Sequence, residues 1–310
     1  MSPDTRHPTP GSRILVTGAN GQLGRELQEL APRYRQYEFI FLSKEELPVE
    51  DSSRINKTFE SYRPDYCINC AAYTAVDKAE AQRDLAFKIN AEAVELLAKA
   101  CKEYDCRFIH ISTDYVFDGT ATTPYSEESA TKPQSVYGES KLEGEKLALD
   151  ANPDTLIIRT SWVYSEFGKN FVKTMLRLMH DKEEINVVND QTGSPTYAAD
   201  LAEALLQIIG TLPSYNLQLT TYNLPSGRQA HNIFHFSNDG IISWYDFAVA
   251  IKELSGSKCK VNPIATSQYP TLAKRPVYSV LDKAKIQVTF GIELKDWRKS
   301  LAVCIQRINK

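Results

Sequence analysis

Ile14-Leu-Val-Thr-Gly18-Ala-Asn-Gly21-Gln-Leu-Gly24-Arg-Glu-Leu27 decides the fold. A short β-type run leads into three glycines spaced three apart, and a helical run opens at Arg25. G-x-x-G-x-x-G on its own is a weak pattern; a strand before it and a helix after it supply the context that its mechanism requires. Glycine allows the tight turn and the close backbone approach, and the helix start offers free N–H groups to a pyrophosphate. Gly18, Asn20, Gly21, Gln22, Leu23 and Gly24 are therefore the expected dinucleotide phosphate loop.

Outward from this loop, the first half of the chain alternates strands and helices. Glu38-Phe-Ile-Phe-Leu42, Tyr66-Cys-Ile-Asn69, Arg107-Phe-Ile-His-Ile-Ser112 and Thr155-Leu-Ile-Ile-Arg159 read as strands. Residues 85–103 read as an amphipathic helix, with apolar residues three and four apart, and a second helix is placed over about 136–149. Such alternation predicts an α/β fold, a Rossmann-type doubly wound parallel sheet covered on both faces. After Thr160 the rhythm loosens, with helices expected over 170–180 and 198–209 and a strand over 185–188. The division expected is a leader over 1–12, a dinucleotide-binding domain over 13–160, and a smaller substrate lobe made mainly of 161–310, with later segments crossing back to the sheet.

Lys+Arg 36 against Asp+Glu 39 gives a net charge of -3, without the basic footprint of a nucleic-acid binder. No run approaches the roughly 18 to 20 apolar residues of a membrane span. The polar, Pro-rich MSPDTRHPTPGS lacks the apolar core of a secretory signal and reads as a disordered leader. Six scattered cysteines do not form a secreted disulfide framework, which points to the cytoplasm. Cys67 and Cys70 make a C-x-x-C, but no second pair follows to complete a zinc site, so they read as small packing residues in and beside a strand.

Two further groups of residues carry chemistry. Tyr137-Gly-Glu-Ser-Lys141 sets Tyr and Lys at i and i+4, on one helix face. A free phenol titrates near about 10, and a neighbouring ammonium, with the positive nicotinamide of an oxidised cofactor, is expected to draw it down toward working pH for proton transfer. Ser112-Thr113-Asp114-Tyr115 ends a strand, where open parallel sheets bind ligands. There the Thr113 hydroxyl could hold a substrate carbonyl. At the end of the second strand, where an acid would grip the ribose hydroxyl of NAD, stand Ser43 and Lys44. A hydroxyl and an ammonium suit a 2′-phosphate, so NADPH is expected; NADH stays open because Glu45 and Glu46 follow closely.

The glycine spacing matches the short-chain dehydrogenase/reductase group, extended branch, and nearly the whole chain, from about Ile14 to Ile308, resembles the dTDP-4-dehydrorhamnose reductases. The resemblance is carried by 16–27, Cys70-Ala-Ala-Tyr-Thr-Ala-Val-Asp-Lys-Ala-Glu80, Ser112-Thr-Asp-Tyr-Val-Phe-Asp-Gly119 and Tyr137-Gly-Glu-Ser-Lys141. More particular are Arg159-Thr-Ser-Trp-Val-Tyr164, Asp190-Gln-Thr-Gly-Ser-Pro-Thr-Tyr197 and Lys274-Arg-Pro-Val-Tyr-Ser-Val-Leu281. It implies a catalytic set of Thr113, Tyr137 and Lys141, with Tyr137 and Lys141 also touching cofactor. It implies that Ala71, Ala72, Tyr73 and Asn90 line the cofactor. Val76, Thr113, Asp114, Tyr115 and Trp162 would face the sugar, and Arg275 the nucleotide diphosphate.

Two positions depart from the family pattern: Ser43 stands where many relatives have an acid, and Pro48 where many have Asp. Some members hold magnesium at a dimer contact. Glu26 matches one ligand, but the second is unclear around Ala199 and Asp200, so no metal site is assigned and magnesium stays undecided. The resemblance also allows a homodimer. The implied reaction is NADPH-dependent reduction of the C4 keto group of dTDP-4-dehydro-L-rhamnose. Two alternatives compete: an NADP-binding regulatory protein like the methionine adenosyltransferase β subunit, and another nucleotide-sugar reductase, epimerase or dehydratase. Trp162 and the Asp190–Tyr197 run favour the reductase over the regulator. Tyr115 after Asp114, in place of an acidic pair, disfavours a dehydratase.

Overall fold

The computed structural model describes residues 11–212 and 232–310. The first half folds as β1 (Ser12–Thr17), α1 (Gln22–Leu30), β2 (Tyr37–Leu42), α2 (Ser52–Tyr62), β3 (Tyr66–Asn69), α3 (Val76–Ala79), α4 (Arg83–Phe87), α5 (Ala93–Glu103), β4 (Arg107–Thr113), α6 (Val136–Ala151) and β5 (Leu156–Thr160). Then come β6 (Val163–Tyr164), α7 (Phe171–Asp181), β7 (Glu184–Val188), β8 (Thr192–Gly193), β9 (Thr196–Tyr197), α8 (Ala198–Thr211) and β10 (Ile233–Phe236). The chain ends in β11 (Ile242–Ser243), α9 (Trp244–Ser255), β12 (Lys260–Ile264), α10 (Ala284–Phe290) and α11 (Trp297–Ile308). The expected leader lies outside the described residues except for its last two, and Ser12 already opens β1.

Six strands form one parallel sheet in the order β10-β5-β4-β3-β1-β2. Alternate residues of each strand serve opposite faces. Ile14, Val16, Ile68, Ile109 and Ile158 pack with Leu23 and Leu27 of α1, Leu205 of α8 and Phe290 of α10. Leu15, Cys67 and Phe108 pack on the other face with Phe59 of α2 and Leu97 of α5. Burial on both faces is why these strands read as unbroken apolar runs. The chain runs outward in opposite directions from β1 and β3, so a crevice opens beyond their C-terminal ends, the usual ligand position in such sheets.

A third core gathers Tyr164, Val172, Met175, Ile185, Tyr197, Phe247, Leu301 and Ile305 beside the sheet. Meanwhile α8, β10 and α10 belong to the sheet and its cover. The helix expected over 85–103 is broken: Lys88–Glu92 is a π-helical turn between α4 and α5. At its centre Asn90 accepts from Tyr73 N at 2.8 Å and donates to the Tyr73 carbonyl at 3.0 Å and to Ser140 Oγ at 3.0 Å. Amphipathic spacing does not register this one-residue widening, which the Asn90 contacts hold in place.

Candidate active site

The loop between β1 and α1 turns at Gly18, where φ is +62°. A Cβ there would lie 2.7 Å from Ala71 N, so only glycine lets this loop lie against the chain leaving β3. Ala19 N donates to the Leu42 carbonyl at 3.1 Å and Gly21 N to the Gly18 carbonyl at 2.9 Å, which fixes the turn. No side chain caps α1, so its first-turn N–H groups are left for a ligand. Gly24 is buried under the loop and shapes it from below.

Two connected cavities flank this loop. One, of about 400 Å³, is lined by Gly18, Asn20, Gly21, Lys44, Ala71, Ala72 and Tyr73. The other, of about 600 Å³, takes in Gly21, Gln22, Leu23, Ala71, Ala72, Val76, Thr113, Asp114, Tyr115, Tyr137, Lys141 and Trp162. Most of the residues singled out in the sequence therefore meet around one groove. Asn90 lies beneath its wall and braces Tyr73. Ser43 is buried beside the first cavity, and its N–H donates to Glu46 Oε2 at 2.8 Å. That bond turns Glu46 back onto its own loop and holds its carboxyl below the usual range. Lys44 and Glu45 are the charged side chains at that rim, with Glu50 beyond them.

Thr113 ends β4, and its hydroxyl donates to Asp114 Oδ1 at 3.0 Å and accepts from Tyr115 N at 3.3 Å. Ser135 caps α6 by accepting from Gly138 N at 3.2 Å. Within α6, Gly144 lets the helix touch the π turn: a Cβ there would sit 1.9 Å from the Asn90 carbonyl oxygen. This approach brings Tyr137 and Lys141 over the end of β4.

In the chain without cofactor, burial dominates the electrostatics of the site. Burial among the groove walls pushes the Tyr137 phenol up to about 12; Thr113 works against the rise and Asp114 adds to it. Lys141 is not among the groups acting on that phenol. Its ammonium position points inward instead, 2.6 Å from the Ile111 carbonyl and 3.1 Å from His110 Nε2. Helical spacing put the two side chains on one face, but the buried Ile111 carbonyl and His110 ring determine where the longer one ends. Lys141 is itself pushed down to about 8 by burial, opposed by Glu145. Asp114 is pushed up to about 6 by burial; the Ser279 and Thr113 hydroxyls favour its charge, and its Oδ2 makes no hydrogen bond.

On the far wall Trp162 is held at φ +48° and stacks on Trp244, ring centroids 3.5 Å apart and planes within 10°. Tyr115 meets Tyr137 edge-on at 5.5 Å. Arg275 is not among the lining residues. It binds Asp77 at 2.6 Å, next to Val76, and donates to the Ala273 carbonyl at 3.2 Å. Its charge nonetheless reaches Tyr115.

Sequence reading passed over Trp244, Asn69, His110 and the buried Glu145–Arg159 pair. A signal existed for three of them: Asn69, His110 and Arg159 are polar residues inside apolar strands. Trp244 has only a local signal, the Ser243–Asp246 capping box that starts α9. Cys67 is buried in the core and Cys70 lies at the groove wall, where burial pushes its thiol up. Glu26 is fully buried, accepting from Ser165 Oγ at 2.7 Å and Arg307 Nη1 at 3.3 Å. Asp200 binds Asn238, Ser300 and Lys295. Among the described residues no helix is long and apolar enough to cross a membrane.

Residues 12–310 match the family described as RmlD substrate binding domain. A dTDP-4-dehydrorhamnose reductase of Aggregatibacter actinomycetemcomitans is 41% identical over 296 residues, 94% of this chain and 97% of that protein. The spore coat polysaccharide biosynthesis protein SpsK of Bacillus subtilis is 41% identical over 295 residues, covering 95% and 97%. The crystal structure of a dTDP-4-dehydrorhamnose reductase from Clostridium acetobutylicum superposes with a TM-score of 0.87 at 42% identity, over 96% of this chain and 100% of that one. One from Bacillus anthracis, solved in complex with NADP, gives 0.87 at 36% identity over 96% and 99%. Fold, motif order and identity agree along nearly the whole length, and the chain belongs to the dTDP-4-dehydrorhamnose reductase family.

Proposed function

We propose that this chain is an NADPH-dependent oxidoreductase that reduces the C4 keto group of dTDP-4-dehydro-L-rhamnose to give dTDP-L-rhamnose. One observation carries the reading: the uncapped start of α1 and the Thr113, Tyr137 and Lys141 side chains face a single groove of about 600 Å³. The donor set fits a dinucleotide, with free N–H groups for the pyrophosphate and Lys44 at the rim for a 2′-phosphate. Bound nicotinamide supplies the hydride. Thr113 Oγ1 orients the carbonyl and Tyr137 gives its phenolic proton to the oxygen as charge develops there. The Trp162–Trp244 stack forms a flat apolar wall for the sugar ring. Arg275, held by Asp77 near Tyr115, is the guanidinium assigned to the substrate's diphosphate. A cytoplasmic enzyme, alone or as a homodimer, accords with a nucleotide-activated substrate and with six cysteines that are all free.

The test is NADPH oxidation, followed by absorbance, with dTDP-4-dehydro-L-rhamnose against UDP-linked and free keto sugars, and with NADH in parallel. Turnover is expected with the dTDP sugar and with NADPH preferred. Tight NADP binding without reduction of any dTDP keto sugar would replace this reading with the regulatory one.

A further inference from the structure

Behind Lys141 runs a buried hydrogen-bond chain whose donor count admits few arrangements. Ala71 N, which can only donate, lies 3.1 Å from Asn69 Oδ1, and Thr17 Oγ1 lies 2.6 Å from the same oxygen. The Asn69 amide is thereby oriented, and its Nδ2 faces His110 Nδ1 at 3.1 Å. An amide nitrogen offers hydrogens and no lone pair, so His110 Nδ1 must be the acceptor. A neutral imidazole then carries its hydrogen on Nε2, 3.1 Å from Lys141 Nζ. Nζ already donates to the Ile111 carbonyl at 2.6 Å. A lone pair must meet the Nε2 hydrogen, and only the unprotonated amine has one.

We propose that His110 sets the protonation state of Lys141: its Nε2–H donates to the lysine amine and holds that side chain uncharged in this arrangement. For Lys141 to become an ammonium, His110 must carry its hydrogen on Nδ1 and the Asn69 amide must turn over. That turn would leave Ala71 N facing an amide nitrogen, a buried donor against a donor. Proton uptake by Lys141 is thus coupled to a tautomer change in His110, its direct partner, and to an amide turn at Asn69, the next residue in the chain of bonds. His110 acts through Lys141 and is a positioning residue. The surrounding charges leave this balance in place. Glu145, one turn along α6, favours the ammonium. Both its oxygens are already engaged, by Arg159 Nε at 2.8 Å and Nη2 at 2.6 Å and by Ser112 Oγ at 2.5 Å. Burial lowers both members of the pair: His110 well below its usual value, and Lys141 to about 8, so the uncharged amine is the form present on the alkaline side of that value.

The direct test is nitrogen NMR of the 15N-labelled chain without added cofactor, the His110 signals being those that vanish in His110→Gln. At about pH 9, where Lys141 is uncharged, Nδ1 is expected unprotonated and Nε2 protonated; a protonated Nδ1 there overturns the proposal. In Asn69→Asp the residue facing Nδ1 becomes an acceptor, and the hydrogen should move to Nδ1; an unchanged tautomer also overturns it. The kinetic arm rests on the proposed reduction, whereas the tautomer does not, so the two can fail separately. In His110→Gln the carboxamide can turn its oxygen toward Nζ, and the falling alkaline limb of kcat/KM should move up by about one pH unit, the scale of one hydrogen bond to a charged group. A limb that stays in place or moves down shows that His110 does not govern Lys141.

Discussion

Tyr137 keeps its proton through the neutral range because burial pushes the phenol up to about 12, which suits a donor in the reducing direction. Tyr137→Phe should cut turnover by at least about 100-fold, the scale of a lost general acid, while NADPH affinity by fluorescence titration stays close to wild type. Turnover near wild type would remove Tyr137 from the chemistry. Trp162 serves wall and core together: half-buried, stacked on Trp244, and packed against the cluster around Phe247. Trp162→Ala should therefore lower stability by about 2 kcal/mol and also raise KM for the dTDP sugar. Its backbone at φ +48° adds a second expectation. A Cβ is strained there, so Trp162→Gly should retain more stability than Trp162→Ala, by up to about 1 kcal/mol in urea unfolding. The reverse order would mean that residue 162 carries no backbone strain.

Among the elements, α6 is the one whose placement decides the site. By helix propensity alone Gly144→Ala should stabilise by about 1 kcal/mol. Its packing says the opposite, since the new Cβ would fall 1.9 Å from the Asn90 carbonyl oxygen. Either α6 or the π turn must move, and overpacking of this kind destabilises by about 1 to 3 kcal/mol. Urea unfolding should show that loss, together with weaker NADPH binding, because Asn90 braces Tyr73. A variant as stable as wild type would mean that α6 shifts freely. Strands β1 to β5 of the sheet were legible in sequence to within two residues because burial on both faces leaves dense apolar runs, whereas β10 was not read. The π turn was not, since its cause is a set of bonds between Asn90, Tyr73 and Ser140, the latter two 17 and 50 residues away.

Across the whole molecule, α1 ties the sheet to the smaller core. Gln22 Oε1 accepts from Asn170 Nδ2 at 2.8 Å, and Glu26 reaches Ser165 and Arg307. Burial holds the Glu26 carboxyl above its usual 4.5, against the pull of Ser165 and Arg307. Between the unfolded value and the raised folded one, the native state binds more protons than the unfolded chain. The contribution of Glu26 to stability is therefore full below the unfolded value and is lost as pH rises through the folded one. Glu26→Gln lacks that loss. Its stability relative to wild type should climb as pH rises from about 4.5 and level off above the folded value, read by urea unfolding across the range. A steady fall instead would mean that the Arg307 pairing outweighs burial.

By itself the sequence determined the glycine loop, the parallel sheet, the Tyr137–Lys141 spacing and the strand-end position of Thr113. Each of these is a local pattern: side-chain periodicity, glycine placement and helical spacing are written within about 20 residues. Only the tertiary structure decided where the long and the shared side chains end up. Lys141 turns to His110 and Ile111 rather than to Tyr137, and Arg275 finds Asp77 across 198 residues. Trp244 arrives from α9 to stack on Trp162. Burial removes water as an alternative partner, so a buried polar group pairs with whichever partner the packed fold brings within reach, and that choice is not encoded near the residue itself.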